Sequence, residues 1–156
     1  MFRPMRRSKQ QLSREVCVDI LQNEPRGVLA VLGDEGYPYT VPLDFVYEDG
    51  VIYFHCAKSG HKLDAVRGCD KASFCVIDKG EKSGEDWSYF FNSVVCFGRV
   101  KILSEKKDII KKAALLGKKY YPDQSEAEQE ALKFADKMYI LALSVEHMSG
   151  KRVHEK

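Results

Sequence analysis

The feature that most constrains the fold of this chain is a strict alternation of residue types in YPYTVPLDFVYE, residues 37–48. Every second residue there is apolar or aromatic, which is the pattern of a β-strand that buries one of its two faces. A chain with such a strand must place other elements against that face. The predicted buried face consists of Tyr37, Tyr39, Val41, Leu43, Phe45 and Tyr47.

The opposite face of this strand carries Pro38, Thr40, Pro42 and Asp44. Proline has no backbone N–H, so two prolines remove two donors from the hydrogen-bonding ladder. The strand is therefore predicted to lie at a sheet edge or to separate locally from its neighbour. A local separation would open a groove lined by Thr40 and Val41. The alternative is an ordinary edge strand whose prolines prevent aggregation.

Other segments also have strand patterns, and short turns separate the first of them. The turns DEG at 34–36 and EDG at 48–50 are typical of hairpins, so the first three strands are predicted to form an antiparallel meander. The fifth strand is either one long strand or two with a bend at Gly98. The predicted strands are 27–33, 37–48, 51–57, 71–78, 87–103 and 138–151.

An early helix is predicted from Ser13, which can cap it, to about Asn23, just before Pro25. The spacing of its apolar residues gives it one face directed at a core. That predicted face consists of Val16, Cys17, Ile20 and Leu21.

Two further helices are predicted late in the chain, at 105–120 and 125–138. The second begins with Ser125 and Glu128 in a capping-box pattern. Six or more antiparallel strands with late helices are typical of a small barrel with helices packed outside it. The sequence thus predicts a mainly β fold, a β-barrel with flanking helices, in one domain spanning residues 1–156.

The long strand has apolar side chains on both of its faces. Val94 and Cys96 lie on one face, whereas Val95 and Phe97 lie on the other. The barrel interior takes only one face, so the other is expected to be covered from outside. The cover is either the late helices or a second copy of the protein, and the sequence favours neither.

The composition narrows the classes of function. With 25 basic and 23 acidic residues the net charge is +2, which argues against general nucleic-acid binding. Five cysteines without CxxC spacing argue against a zinc site or a disulfide framework, and reduced thiols favour the cytoplasm. No membrane-spanning run and no signal peptide are expected.

The segment YFHCAKSGHKLDAV, residues 53–66, runs from a predicted strand into a predicted helix. Between them lie Lys58, Ser59, Gly60, His61 and Lys62, which are rich in donors and positive charge. A helix N-terminus adds unpaired N–H groups and a partial positive charge. The segment therefore predicts a site for phosphate or another anion, and the alternative is a solvated basic turn.

The chain lacks the sequence motifs of several other catalytic and nucleotide-binding sites. There is no GxGxxG, GxxxxGK[ST], HExxH or GxSxG motif, and the four histidines are not paired at metal-ligand spacing. If the protein is an enzyme, a bound cofactor is expected to carry its chemistry.

These segments resemble the FMN-binding split-barrel family related to pyridoxamine 5'-phosphate oxidase, and most closely its 5-nitroimidazole-resistance (Nim) branch. The resemblance rests on MRR near the start, on GVLAVLGDEGYPYTVPLDFVYEDGVIYFHCAKSGHKLDAV and on KASFCVID. It covers residues 5–103 well and the last third loosely. It implies a split β-barrel of the FMN-binding type and a homodimer with FMN at the interface.

The resemblance also implies positions for the cofactor. Residues along the flavin ring would be Tyr39, Thr40, Val41 and Pro42, with His55, Cys56 and Ala57 beside it. The phosphate would be held by Ser59, His61 and Lys62. His55 would face the active site and act in catalysis, and the partner subunit would contribute residues from the strand between Trp87 and Val95.

One departure from the family concerns its substrate segment. Pyridoxamine-phosphate oxidases carry an arginine and a histidine two residues apart near the C-terminus. Arg152 and His154 have that spacing, but the surrounding motif is missing, so vitamin B6 oxidation is disfavoured.

The sequence therefore leads to three hypotheses on function. The first is an FMN-dependent oxidoreductase that takes electrons from NADH or NADPH and reduces a small electrophile, such as a nitroaromatic of the 5-nitroimidazole type. The second is a non-catalytic flavin- or haem-binding protein for carriage or sensing. The third is a barrel that has lost its ligand.

Overall fold

The computed structural model describes residues 1–82, 84, 89–121 and 123–155. The helices are α1 (Arg14–Asn23), α2 (His61–Gly68), α3 (Lys106–Tyr120) and α4 (Gln124–Phe134). The strands are β1 (Arg26–Leu32), β2 (Pro38–Asp44), β3 (Val46–Glu48), β4 (Val51–Ala57), β5 (Lys71–Ile77), β6 (Glu81–Lys82), β7 (Tyr89–Leu103) and β8 (Met138–Glu155).

The strands form one curled antiparallel sheet in the order β2-β1-β5-β7-β8-β4-β3, and the short β6 also pairs with β7. The two ends of this sheet, β2 and β3, follow each other in the chain with only Phe45 between them. The sheet therefore curls round until its edges approach each other, and the fold is a split β-barrel with helices, as predicted.

The predicted meander is wrong at its second strand, because the segment 37–48 divides at Phe45. The first half pairs with β1 and the second half pairs with β4, so β2 and β4 are not neighbours. The Phe45 ring is fully buried, and its N–H donates to the Tyr120 hydroxyl at 2.8 Å instead of to a strand. At Phe45 the chain therefore crosses from one end of the sheet to the other, and the alternation alone does not reveal this crossing. Tyr37, expected on the buried face, is exposed.

The hydrophobic core has two parts on opposite faces of the sheet. The interior part includes Leu29, Phe54 and Phe74, with contributions from α1 and α2. The outer part lies between the late helices and the sheet, where Ile109 and Leu116 of α3 share a cluster with residues of β3, β4 and β8. The prediction of late helices packed outside the barrel is confirmed.

The first helix begins where the sequence indicates, since Ser13 Oγ accepts a hydrogen bond from the Val16 N–H at 3.4 Å. Cys17, Ile20 and Leu21 are buried as expected. The inclusion of Val16 in the apolar face is wrong, because this side chain is exposed. Val16 precedes the buried Cys17 by one residue, and a step of roughly 100° around the helix axis directs its side chain towards solvent.

The start of α4 differs from the predicted capping box. Asp123, not Ser125, is the N-cap, and its carboxylate accepts hydrogen bonds from the Ser125 N–H at 2.8 Å and hydroxyl at 2.6 Å. Glu128 instead forms an ion pair with Lys118 of α3 at 2.9 Å. Aspartate is about as favourable an N-cap residue as serine, so the helix can begin at Gln124 instead of after Ser125.

The long strand β7 is continuous and has a bulge where it pairs with β8, between Phe97 and Gly98. A Cβ on Gly98 would lie 2.0 Å from the Ser144 carbonyl oxygen, so only glycine fits there. Trp87, which the resemblance places in this region, lies outside the described residues. None of the described helices combines the length and apolar character needed to cross a bilayer.

Candidate functional site

The candidate site is the split in the barrel wall, where two strand edges have no partner among the described residues. β2 pairs only with β1. β4 pairs with β3 over Val51–Tyr53, so from Phe54 to Ala57 one of its edges is free as well. The predicted separation at an edge strand is thus present. Unpaired strand edges offer main-chain donors and acceptors to a ligand.

The predicted residues of β2 alternate between interior and surface. Tyr39 and Val41 are half-buried and pack against the interior core, whereas Thr40 and Pro42 are exposed. All four belong to the unpaired edge, so a flat ligand lying along β2 would meet both backbone and side chains. This arrangement is compatible with the ring position that the resemblance implies.

The predicted residues of β4 divide between the two faces of the sheet. Cys56 points into the interior and is buried, whereas His55 and Ala57 are exposed on the outer face. Burial raises the pKa of the Cys56 thiol, and the nearby positive charge of Lys62 partly opposes the shift. Cys56 is therefore a neutral packing residue, and the Lys62 charge acts on the end of β4.

The donor-rich segment forms the start of α2, as predicted. Gly60 is the N-cap with φ of 122°, a conformation that favours glycine. Its carbonyl accepts from the N–H groups of Leu63 at 3.0 Å and Asp64 at 3.1 Å. The N–H groups of His61 and Lys62 precede these bonds and have no backbone acceptor among the described residues. Two donors are thus available to an anion at this end of the split.

Contacts between side chains join the start of α2 to β2. The His61 ring stacks on the Tyr39 ring with centroids 4.1 Å apart and planes inclined by 23°. This contact brings together the two segments predicted for phosphate and ring. Ser59 is exposed nearby, while Lys58 extends over the Tyr139 ring with its Nζ 5.2 Å from the centroid.

Two residues at this end of the split were missed in the sequence. Gly33 allows the close approach, because a Cβ there would lie 2.9 Å from Tyr39 Cβ and 3.1 Å from His61 Nε2. Asp34 places a carboxylate oxygen 3.5 Å from His61 Nε2 and is itself mostly exposed. The glycine immediately after a buried strand was the available signal, whereas the Asp34 contact depends on the tertiary fold.

A second cavity lies behind the end of β4, on the outer side of the sheet. It has a volume of about 450 Å³, opens to solvent, and is lined by residues of α3, α4 and the end of β4. His55, Cys56 and Ala57 line it together with mostly apolar helix residues. This cavity could not be predicted from the sequence, because it depends on how the two helices cross.

Arg152 and His154 are both near the end of β8, where they flank one aromatic ring. The His154 ring stacks on Phe90 with centroids 4.1 Å apart, and the Arg152 guanidinium lies 5.4 Å from the same ring. Arg152 also forms an ion pair with Glu81 at 3.1 Å. Within the described residues, no group of three metal-ligating side chains is close enough to hold a metal ion.

The fold and the split agree with what comparison with known proteins finds. The family model "Pyridoxamine 5'-phosphate oxidase" matches residues 13–152. The chain is therefore a member of the pyridoxamine 5'-phosphate oxidase-like family of flavin-binding split barrels. No curated protein matches it significantly at the level of sequence.

Solved structures show the same fold at low sequence identity. A proposed 5-nitroimidazole antibiotic resistance protein from Bacteroides thetaiotaomicron is 18% identical with a TM-score of 0.80, covering 92% of this chain and 87% of that one. An FAD-binding protein from Mesorhizobium loti is 24% identical with a TM-score of 0.65, covering 92% and 97%. An FAD- and haem-binding protein from Mycobacterium smegmatis is 21% identical with a TM-score of 0.75, covering 91% and 72%.

Proposed function

We propose that the protein is an FMN-dependent oxidoreductase that works as a homodimer and reduces a small electrophile, such as a nitroaromatic of the 5-nitroimidazole type. The observation that carries this proposal is the contact of His61 with Tyr39, which joins the free edge of β2 to the donor-rich start of α2. In a flavin-binding family, a flat groove that ends at free N–H groups and lysines suits a ring carrying a phosphate.

The chain's own residues would hold the cofactor in three ways. The edge from Tyr39 to Pro42 would bind the ring, and Cys56 and Ala57 would close the other side of the split. Ser59, His61 and Lys62 would hold the phosphate with a hydroxyl, free N–H groups and a positive charge. FMN, when bound, supplies two-electron redox chemistry between NADH or NADPH and the acceptor.

His55 is the residue proposed to supply a proton. Reduction of a nitro group to a nitroso group by a nicotinamide takes up one hydride and one further proton, and releases water. An imidazole can donate a proton near neutral pH, and His55 is exposed beside the split. Replacement by phenylalanine, His55→Phe, should retain FMN but slow reoxidation of the reduced protein by a nitroimidazole about 10²-fold. Equal stopped-flow rates would remove His55 from the mechanism.

The proposed dimer uses the outer face of β1, β5 and β7. Strand register aligns Val28 with Cys75 and Cys75 with Val95, so these side chains form one row across the face. Ala30, Ser73 and Phe97 form the next row. None of α1–α4 shares a core cluster with these residues, and a second copy of the chain would cover them.

Five free cysteines are compatible with a reducing compartment, the cytoplasm.

The phosphate site is tested by removing its charge. An ion pair to phosphate contributes on the order of 1.5–3 kcal/mol, so Lys62→Ala should weaken FMN binding roughly ten- to a hundredfold. His61→Ala should have a smaller effect. Riboflavin lacks the phosphate, so Lys62→Ala should bind riboflavin as tightly as the wild type does. Lys101→Ala, which removes an exposed lysine of β7, is the control. If Lys62→Ala and His61→Ala both keep the wild-type affinity for FMN, the phosphate lies elsewhere.

The second candidate function is carriage or sensing by a bound flavin or haem. A structural relative that binds FAD and haem supports keeping this candidate. The two functions differ in turnover: an oxidoreductase bleaches its flavin with NADH or NADPH and regains the colour with a nitro compound. A protein that binds flavin or haem but shows no such cycle with any nitro compound belongs to the second class.

A further inference from the structure

We propose that the cavity behind β4 is the binding pocket for the electron acceptor, and that it selects uncharged, flat aromatic molecules. This inference rests on the proposed function, since only an oxidoreductase needs an acceptor. The cavity has a volume of about 450 Å³, within the usual range for small-molecule pockets. It shares His55, Cys56 and Ala57 with the segment that flanks the split. A molecule there would lie next to the flavin groove without occupying it.

The cavity exists because small residues line the facing sides of α3 and α4. Gly117 of α3 touches Ala127 of α4 so closely that a Cβ on Gly117 would lie 2.9 Å from Ala127 Cβ. Ala113 and Ala131 continue the two walls. At such core-facing helix positions larger residues would normally fill the space, because protein interiors are closely packed. Space left between tightly crossing helices is therefore suited to an occupant.

The lining determines the chemistry of that occupant. The walls are mainly alanine, leucine, phenylalanine and methionine, so a charged molecule would lose its hydration without compensation. The lining contains one acid and one base: Glu130 is half-buried, and Lys137 is exposed with its Nζ 5.8 Å from the centre of the Phe134 ring, so the Lys137 charge stays hydrated. Glu130 is already paired with Lys133, at 3.4 Å.

Two aromatic features explain the preference for a flat ring with one polar substituent. Phe134 offers a ring against which a flat molecule can stack. His55 lies on the β4 side of the cavity and provides a polar group that can donate to an acceptor oxygen. A neutral ring carrying a nitro group therefore matches the pocket better than a phosphorylated or carboxylated substrate does.

The test uses two probes of equal ring size, neutral 4-nitrotoluene and anionic 4-nitrobenzoate, with binding measured by calorimetry on unreduced protein. The wild type should bind the neutral probe at least tenfold more tightly. Ala131→Leu fills the cavity from α4 and should weaken 4-nitrotoluene binding at least tenfold, while FMN affinity stays unchanged. Ala113→Leu fills it from α3 and should act in the same way, which covers the case where one variant fails to fold.

The matched control is Gln129→Leu, which adds a leucine to an exposed position of α4 away from the cavity. It should leave both affinities unchanged. The proposal is overturned if the filled variants bind 4-nitrotoluene like the wild type, if the control weakens binding equally, or if the two probes bind equally well. FMN titration separates the two claims. Neutral-probe binding without FMN binding would defeat the proposed function, and with it the role of the cavity as an acceptor pocket, but not the selectivity of the cavity. FMN binding without probe selectivity would defeat the pocket only.

Discussion

The outer surface of the sheet has two halves that differ in how far other parts of the chain cover them. Over β3, the first half of β4 and the start of β8, outward side chains are covered by α3: Tyr53 is 9% exposed and Ile140 is fully buried. Over β1, β5 and the middle of β7, outward side chains remain open, with Val28 40%, Phe97 39% and Ile77 57% exposed. Both halves carry apolar residues, and among the described residues only one half has a cover.

The comparison separates the half of the outer surface that α3 covers from the half that the proposed dimer would cover. The N-terminal arm covers little of the open half: the Phe2 ring stacks on His147 with centroids 4.6 Å apart and lies 5.6 Å from Phe97. Phe2 itself is 41% exposed. An apolar surface of this kind is costly in water at about 25 cal/mol per Å², which supports the proposed dimer face.

The largest expected effect compares one isoleucine from each half. Ile140→Ala removes a fully buried side chain beneath α3, so the free energy of unfolding should fall by about 2–5 kcal/mol. Ile77→Ala removes an exposed side chain from the open half and should change the free energy of unfolding of dilute protein by less than about 0.5 kcal/mol. Urea unfolding measures both. Equal losses would mean that the two halves do not differ as described.

The next expected effect concerns the open half. Phe97→Lys places a charge among the aligned apolar rows, so it should raise the dimer dissociation constant about a hundredfold, equivalent to about 2.7 kcal/mol. If the cofactor site is shared between subunits, flavin retention should weaken as well. Light scattering over a dilution series gives the constant, and Lys101→Phe is a control with an exposed residue at the far end of β7. A wild-type protein that is already monomeric at micromolar concentration with flavin bound would contradict the proposal.

A smaller effect is expected where α3, which covers one half of the sheet, forms hydrogen bonds with the chain beside the split. The Tyr120 hydroxyl of α3 accepts from the Phe45 N–H and lies 2.6 Å from the Pro25 carbonyl oxygen. Tyr120→Phe leaves these main-chain groups without that partner and should lower the free energy of unfolding by about 1–3 kcal/mol. Tyr121→Phe, at an exposed neighbouring position, is the control and should be neutral. A neutral Tyr120→Phe would show that the crossing at Phe45 does not depend on α3.

The smallest effect is a pH dependence at the same junction. Burial lowers the pKa of Lys119 to about 8, from an ordinary value of 10.5. Its ammonium donates to the Glu24 carbonyl at 2.8 Å and lies 3.8 Å from the centre of the Phe45 ring. Between pH 8 and 10.5 the unfolded chain holds this proton while the folded chain loses it, so folding becomes relatively more favourable as pH rises.

The measurement compares wild type with Lys119→Met, which removes the titration but keeps an apolar stem. The difference in free energy of unfolding should move in favour of the wild type between pH 8 and 10.5, with a slope below about 1.4 kcal/mol per pH unit because Lys119 is only half-buried. Comparing the two proteins cancels other titrating groups. A constant difference across this range would show that the Lys119 pKa is not lowered.

The fold was largely predictable because its strands alternate and their turns are short. Asp49 and Gly50 both have positive φ, as a two-residue hairpin turn requires. The EDG sequence at 48–50 predicted this turn. The crossing at Phe45 was not predictable, since the residue keeps the alternation while its N–H bonds to a tyrosine 75 positions away. Local patterns carry no information on such a partner.

The candidate site was predictable in parts that follow the chain and not in parts that cross it. The prolines of β2 predicted a free edge, and Gly60 with its neighbours predicted the start of α2. The stacking of His61 on Tyr39 depends on the curl of the whole sheet. The cavity behind His55 depends on a close crossing of two helices that no spacing in the sequence reveals.

Sedimentation of the protein mixed with excess FMN, followed at the visible absorption band of the flavin, tests the central claim most directly. The account predicts that flavin absorbance sediments with the protein at twice the chain mass of 17.8 kDa, with one FMN per subunit. Flavin absorbance that stays at the top of the cell, leaving the protein colourless, would contradict flavin binding in the split. Flavin that sediments at the mass of a single chain would contradict the role of the open half as a dimer face.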